Sequence, residues 1–135
     1  MTIQTALDLL AGRRVVALSG AGVSTESGIP DYRSPEALAR GPRRTIQGPE
    51  FVRSEALRRR YWARAMAGWE SFRDARPGAS HRALATLEEA GAISALITQN
   101  VDRLHHAAGS RQVTELHGAL AEVICLDCGA LEMRD

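Results

Sequence analysis

The run Val15-Val16-Ala17-Leu18, followed at once by Ser19-Gly20-Ala21-Gly22, constrains the fold more than any other stretch of this chain. A short apolar run with two β-branched residues suits a buried strand of a parallel sheet. Glycines at 20 and 22 let the backbone turn tightly and bring its N–H groups close to phosphate oxygens. The sixth position, however, is Thr25, and no acidic residue ends a second strand about 20 residues on. By themselves, the residues fit a plain turn as well as a phosphate cradle.

Thr25 to Gly28 fit a short helical turn, which Pro30 and Pro35 keep short. Residues 31–49 hold three prolines with Gly41 and Gly48, so a long loop is expected there. From Glu50 to Phe72 the period turns helical, with Leu57, Tyr61 and Ala65 on one face. Trp62, Met66 and Trp69 flank that face, while Arg58, Arg59 and Arg64 fall largely outside it. Pro77-Gly78 breaks the chain. Ser80 is placed to cap a second helix whose Leu84 and Leu87 face inward and which closes at Gly91. Ile93 to Thr98 reads as a second buried strand, residues 101–108 as a helix ending at Gly109, and Val113 to Leu116 as a third strand. Glu122 to Ile124 leads into Cys125 and Cys128. The order strand, glycine turn, helices, strand, helix, strand implies an α/β fold with a parallel, Rossmann-like sheet. A doubly wound sheet needs more strands, so the sheet is expected to be incomplete and the chain to be a fragment.

With 44% hydrophobic and 24% charged residues, the composition is that of a soluble globular protein. No apolar run reaches the ~18–20 residues that cross a bilayer. Met1 to Arg14 contains Asp8 and lacks a basic start, unlike a signal peptide, so cytoplasmic residence is expected and no membrane partner. The net charge of +1 gives no argument for polyanion binding. Arg33 to Arg76 nevertheless holds eleven arginines against five acids. Arginines along a helix with an aromatic inner face are a solvated surface, and no nucleic-acid partner is expected. The C-x-x-C spacing of Cys125 and Cys128 points to metal or redox chemistry.

The glycine turn opens a longer pattern, Gly20-Ala21-Gly22-Val23-Ser24-Thr25-Glu26-Ser27-Gly28-Ile29-Pro30-Asp31-Tyr32-Arg33. It closely resembles the sirtuin signature G-A-G-x-S-x-x-S-G-I-P-D-F-R and departs from it only at Tyr32. Thr98-Gln99-Asn100-Val101-Asp102-Arg103-Leu104-His105 resembles the family's T-Q-N-x-D-x-L-H. Glu115-Leu116-His117-Gly118 resembles its E-L-H-G. The resemblance runs from about residue 12 onward and is strongest to the class II branch, through Asp31-Tyr32-Arg33-Ser34, Arg60-Tyr61-Trp62-Ala63-Arg64 and Cys125-Leu126-Asp127-Cys128-Gly129. Residue by residue, amides and a carboxylate at Gln99, Asn100 and Asp102 suit ribose and carboxamide at a sheet edge, and Asn100 and Asp102 also suit a helix cap. The near-neutral pKa of histidine suits His117 to a base on a hydroxyl. His81, His105 and His106 read as structural.

The resemblance implies an NAD-dependent protein-lysine deacylase that releases nicotinamide and O-acyl-ADP-ribose, or an ADP-ribosyltransferase or inactive remnant of the same fold. An acyl-lysine protein or peptide is the implied substrate. It makes His117 the catalytic base and Asn100 the residue that orients ribose and water. Asp102 and Ile29 would hold the carboxamide, Gln99 the ribose, and Gly20, Ala21 and Gly22 the phosphates. Ser24 and Asp31 join the cofactor-binding set, Arg33 sits in the cofactor loop, and Tyr32 replaces an aromatic shield. The whole of 1–135 then reads as a partial NAD-binding domain, with a helical insertion at about 34–76. Residues 122–135 form half of a zinc knuckle: Cys125 and Cys128 supply two thiolates where a structural zinc needs four ligands, so zinc binding is expected to be weak or absent.

Overall fold

A computed structural model describes residues 2–39, 41 and 44–134; Arg40, Pro42 and Arg43 of the arginine-rich stretch lie outside the described residues. Its centre is a three-stranded parallel sheet in the order β1 (Val15–Ser19), β2 (Ile93–Thr98), β3 (Val113–Glu115). β2 lies between the other two and has the most buried positions, with Ile93, Leu96 and Thr98 all buried. The register pairs Ser19 with Thr98 and Thr98 with Glu115, so the three strands end at one level. Segments that follow the strands therefore emerge along one edge, where open α/β sheets bind ligands. The α/β, Rossmann-like expectation holds.

Several local expectations give way. An amphipathic helix that the pattern did not suggest, α1 (Ile3–Leu10), precedes β1 and is capped by Thr2. The helical turn after the glycines starts earlier than Thr25 and runs as a 3-10 helix over Ala21–Ser27, closed by Gly28 at φ 81°. The expected loop at 31–49 contains α2 (Pro35–Ala39) and the first turn of α3 (Gly48–Arg53). Proline is compatible with a first helical turn, where its missing N–H costs nothing. The single helix expected from Glu50 is broken at Ser54, whose extended backbone (φ −123°, ψ 111°) ends α3 while its hydroxyl accepts from Leu57 N–H to start α4 (Glu55–Arg73). On α4, Leu57 and Ala65 are half-buried, but Tyr61, Trp62 and Met66 are exposed.

The next helix, α5 (Ala79–Glu89), is not capped by Ser80. Gly78 is its N-cap, and its N–H donates to His81 Nδ1 at 3.1 Å. Leu84 of α5 is half-buried, whereas Leu87 is exposed. The helix expected over 101–108 shrinks to α6 (Leu104–Ala107) because Arg103 adopts a left-handed φ of 59°. β3 stops at Glu115, one residue early. Past it, β4 (Glu122–Ile124) pairs antiparallel with β5 (Leu131–Met133). Arg134 leans this hairpin on α4: its guanidinium lies 4.4 Å from the Trp69 ring and donates to Ala65 C=O at 2.5 Å.

The apolar core is small. Among the described residues only Ile29, Ile93, Leu96 and Leu104 are buried hydrophobics. The chain exposes 9883 Å², whereas a compact monomer of its mass exposes about 6,900 Å². Val16 and Leu18 of β1 contribute to that excess, with Ile3, Leu7 and Leu10 of α1. No helix among the described residues is long and apolar enough to cross a membrane.

Two imidazoles complete the interior. His81 and His105 are fully buried, with ring centroids 4.8 Å apart. His81 Nδ1 accepts from Gly78 N–H, so its proton sits on Nε2. Burial pushes His81 below the ordinary histidine value, partly offset by Asp102. Burial, reinforced by His81, pushes His105 down to about 4. Both are therefore neutral in the fold and protonate more readily once unfolded. The unfolded chain binds more protons below pH 6.5, so stability is lost as pH falls from there toward 4. Between pH 7.5 and 5, urea unfolding should show a loss of about 2 kcal/mol from His105 alone. A midpoint that does not move over that range would contradict the burial of these rings. Leu96→Ala, at the fully buried centre of β2, should cost about 3 kcal/mol in the same measurement.

Candidate functional site

A cleft of about 920 Å³ opens at the C-terminal edge of the sheet, within the size range of small-molecule sites. The glycine turn after β1 forms one side, the Gln99–Asp102 segment after β2 the next, and the loop after β3 brings in His117. All twelve residues singled out from the sequence as catalytic or cofactor-binding line this one cleft: Gly20, Ala21, Gly22, Ser24, Ile29, Asp31, Tyr32, Arg33, Gln99, Asn100, Asp102 and His117. Chain segments almost 100 residues apart meet there because β1 and β2 are adjacent.

Gly20 and Gly22 keep the turn open. A methyl group at either would meet no protein atom within 4 Å, so the space beside them is free for a ligand. The first amides of the following 3-10 helix have no acceptor within the helix and can serve an anion. Gly28, left-handed at its end, lets Ile29 N–H return to Ser24 C=O at 3.2 Å, which draws Ile29 into the buried wall.

The floor is polar and closely bonded. Ser24, with no exposed surface, donates to Asp102 Oδ2 at 2.6 Å and accepts from Asn100 Nδ2 at 3.0 Å. His81 Nε2 lies 3.4 Å from the same hydroxyl. Asp102 Oδ1 accepts from Leu104 N–H at 3.0 Å, so both carboxylate oxygens are engaged. Beneath this hub, Ser19 donates to Thr98 Oγ1 at 2.8 Å and meets His105 Nε2 at 2.8 Å. Thr98 Oγ1 in turn accepts from Asn100 N–H at 3.1 Å. Asn100 is thus held through its backbone and side-chain N–H groups, while no described residue bonds its Oδ1. A rigid amide acceptor at the floor of a cleft can bind a hydroxyl or amide donor.

The rim differs. Asp31 accepts from Ser34 N–H at 3.0 Å in a local turn. Tyr32 is 83% exposed and Arg33 is exposed as well. His117 is exposed, and none of the described residues pairs with its imidazole. The sequence reading did not identify Ser19, Thr98, His81 and His105 as the floor. Nor did it place Phe72, Leu84 and Val101 in the cleft wall. Phe72 arrives from the end of α4, and nothing in its local pattern marks it.

Far from the floor, Cys125 and Cys128 sit exposed on the turn between β4 and β5, where Gly129 at φ 72° donates to Cys125 C=O at 2.9 Å. Hydrogen bonding from the Cys128 and Asp127 backbone holds the Cys125 thiol below its ordinary value. Among the described residues no group of three or more His, Cys, Asp or Glu could hold a metal ion. Two thiols are half of a four-ligand zinc set, so a complete structural zinc site does not fit the residues present.

This arrangement has known counterparts. NAD-dependent protein deacetylase 1 of Mycobacterium avium (strain 104) is 55% identical over 121 residues, covering 90% of this chain and 42% of that protein. NAD-dependent protein deacylase SRT2 of Arabidopsis thaliana is 57% identical over 122 residues, with 90% and 32% covered. The human mitochondrial NAD-dependent protein lipoamidase sirtuin-4 is 54% identical over 119 residues, with 87% and 38% covered. A solved Sir2–p53 peptide–NAD+ complex superposes with a TM-score of 0.84 at 40% identity, over 98% of this chain and 52% of that one. The chain therefore spans less than half the length of each of these three relatives. The Sir2 family model matches residues 20–135, and the chain belongs to the Sir2 family.

Proposed function

We propose that this chain carries the NAD-binding and catalytic edge of a protein-lysine deacylase. One observation carries the reading: the glycine turn, the Gln99–Asp102 segment and His117 converge on a single cleft at the C-terminal edge of a parallel sheet. Its relatives are named NAD-dependent protein deacetylases and deacylases, and the Sir2–p53 peptide–NAD+ complex shares its fold. Bound NAD would supply a ribose carbon carrying nicotinamide as leaving group. Around it, Gly20, Ala21 and Gly22 approach the phosphates, with backbone N–H groups as donors. Asp102 and Ile29 hold the carboxamide, Ser24 fixes Asp102, and Gln99 bonds ribose. Asn100 orients the ribose and water through its open Oδ1. His117, exposed and free to accept a proton, serves as general base on a ribose hydroxyl. Asp31, Tyr32 and Arg33 close the rim over the cofactor. The substrate is an acyl-lysine of a protein or peptide, and the protein resides in the cytoplasm. Cys125 and Cys128 form half of a zinc knuckle.

A second reading, NAD binding without turnover, is favoured by the His117 imidazole, which no described residue orients. Both are tested with the purified chain, NAD and an acetyl-lysine peptide. Nicotinamide release that falls at least about 100-fold in His117→Ala, with calorimetric NAD binding retained, supports deacylation. Binding without release selects the second reading. No heat with NAD, from a chain that is folded by circular dichroism, overturns both.

A further inference from the structure

We propose that Arg103 is a positioning residue that pins both ends of the loop carrying His117. It is the single described non-glycine residue with a positive φ, at 59°. Such a conformation costs an L-residue about 1 kcal/mol or more and persists only where its surroundings enforce it. The enforcement comes from its side chain. Arg103 Nη2 donates to Glu122 Oε1 at 2.5 Å, and Nε lies 3.4 Å from Glu115 Oε1. The second contact is an ion pair only, because Nε has no partner in hydrogen-bond geometry. All three side chains are at least two-thirds buried.

Glu115 ends β3 and Glu122 begins β4. The six residues between them are the loop that presents His117. Two carboxylates at the base of a loop repel each other, and a guanidinium between them turns that repulsion into a clamp. Leu116 N–H donates to Thr98 C=O at 2.9 Å and Leu120 N–H to Val101 C=O at 2.8 Å, so the loop lies along the Asn100–Asp102 segment. Arg103 follows Asp102 directly. Its twist lets the Asp102 carboxylate reach Leu104 N–H, while its fork fixes the loop opposite. Arg103 thereby adds an ionic tie at each end of the loop to these two backbone bonds, and so helps to position His117 relative to the Asn100–Asp102 segment. The claim about position stands on geometry; what it says about rate rests on reading His117 as the base.

Arg103→Gly tests it, since glycine adopts φ near 60° freely and loses only the fork. The urea midpoint should fall modestly, because Glu115 and Glu122 are left without their shared cation, while the fold is retained by circular dichroism. Backbone order parameters over residues 116–121 should drop from about 0.85 to below about 0.6 by NMR relaxation, and Arg103→Lys should restore them in part. For nicotinamide release, kcat should fall about 10- to 100-fold, with KM for NAD changed less than about 2-fold. If Arg103→Gly does not fold, Glu122→Gln removes the tighter ionic partner and should loosen the same loop. A loop as ordered as wild type in the variants overturns the inference. If wild type releases no nicotinamide, the deacylase reading fails while the relaxation data still decide the role of Arg103.

Discussion

The parallel pairing of β1 with β2 is the constraint on which the rest depends. It places Ser19 opposite Thr98, and the two hydroxyls bond to each other at 2.8 Å. Two chain segments that leave these strands must then run side by side, and each begins with residues that line the cleft. A register shift of one residue would turn every β2 side chain to the opposite face. Thr98 would leave the Ser19 hydroxyl, and Leu96 would leave the core. As the central strand, β2 is hydrogen-bonded along both edges and also carries the buried Ile93 and Leu96.

Above that pairing, a small fold carries an unusually polar interior. Among the described residues, Ser24, His81, Thr98, Asn100, His105 and Ser110 are buried beside only four buried hydrophobics. Each buried polar group costs free energy unless it is bonded, and most of these are bonded to one another. Ser24 is the hub, with its hydroxyl shared among Asn100, Asp102 and His81. The neutral imidazoles suit this role because a protonated ring could not accept from Gly78 N–H. Such a network specifies one arrangement of the site more sharply than an apolar core of equal volume would, because each member has a single geometry that satisfies its neighbours.

The sequence disclosed the strands and the cleft more fully than the helices. Ile93–Thr98 was legible to the residue because it is a short apolar run bounded by a glycine turn and by Gln99-Asn100. The three polar blocks were legible as a set through their resemblance to the sirtuin signatures, since the residue types alone fit a plain turn and a helix cap equally well; their roles belong to the proposal. Helix boundaries were not. Ser54 looks like an ordinary helical residue until its hydroxyl is seen capping α4, and Ser80 looks like a cap although His81 does that work through a ring nitrogen. The inward faces of α4 and α5 were misread because amphipathic periodicity shows which residues share a face and does not show whether anything covers it. Tyr61, Trp62 and Leu87 share such faces and remain exposed. Arg103 was invisible for a related reason: a left-handed arginine is sustained by two glutamates that are distant in sequence.

The site divides into a bonded floor and an open rim. Ser24, Asn100 and Asp102 descend from strand ends, are held by several bonds each, and can meet a ligand without reorganising. Tyr32, Arg33 and His117 stand on exposed loops, where local opening costs little. A floor that is already ordered gives up little conformational entropy on binding, so more of its interaction energy is realised as affinity. Groups that must follow a reacting centre through successive steps gain from being on loops that can move, provided the loops are anchored at their ends. In this chain the His117 loop is anchored by two ion pairs at its ends and by the Leu116 and Leu120 N–H bonds to Thr98 and Val101, and its turn is eased by Gly118 at φ 69°.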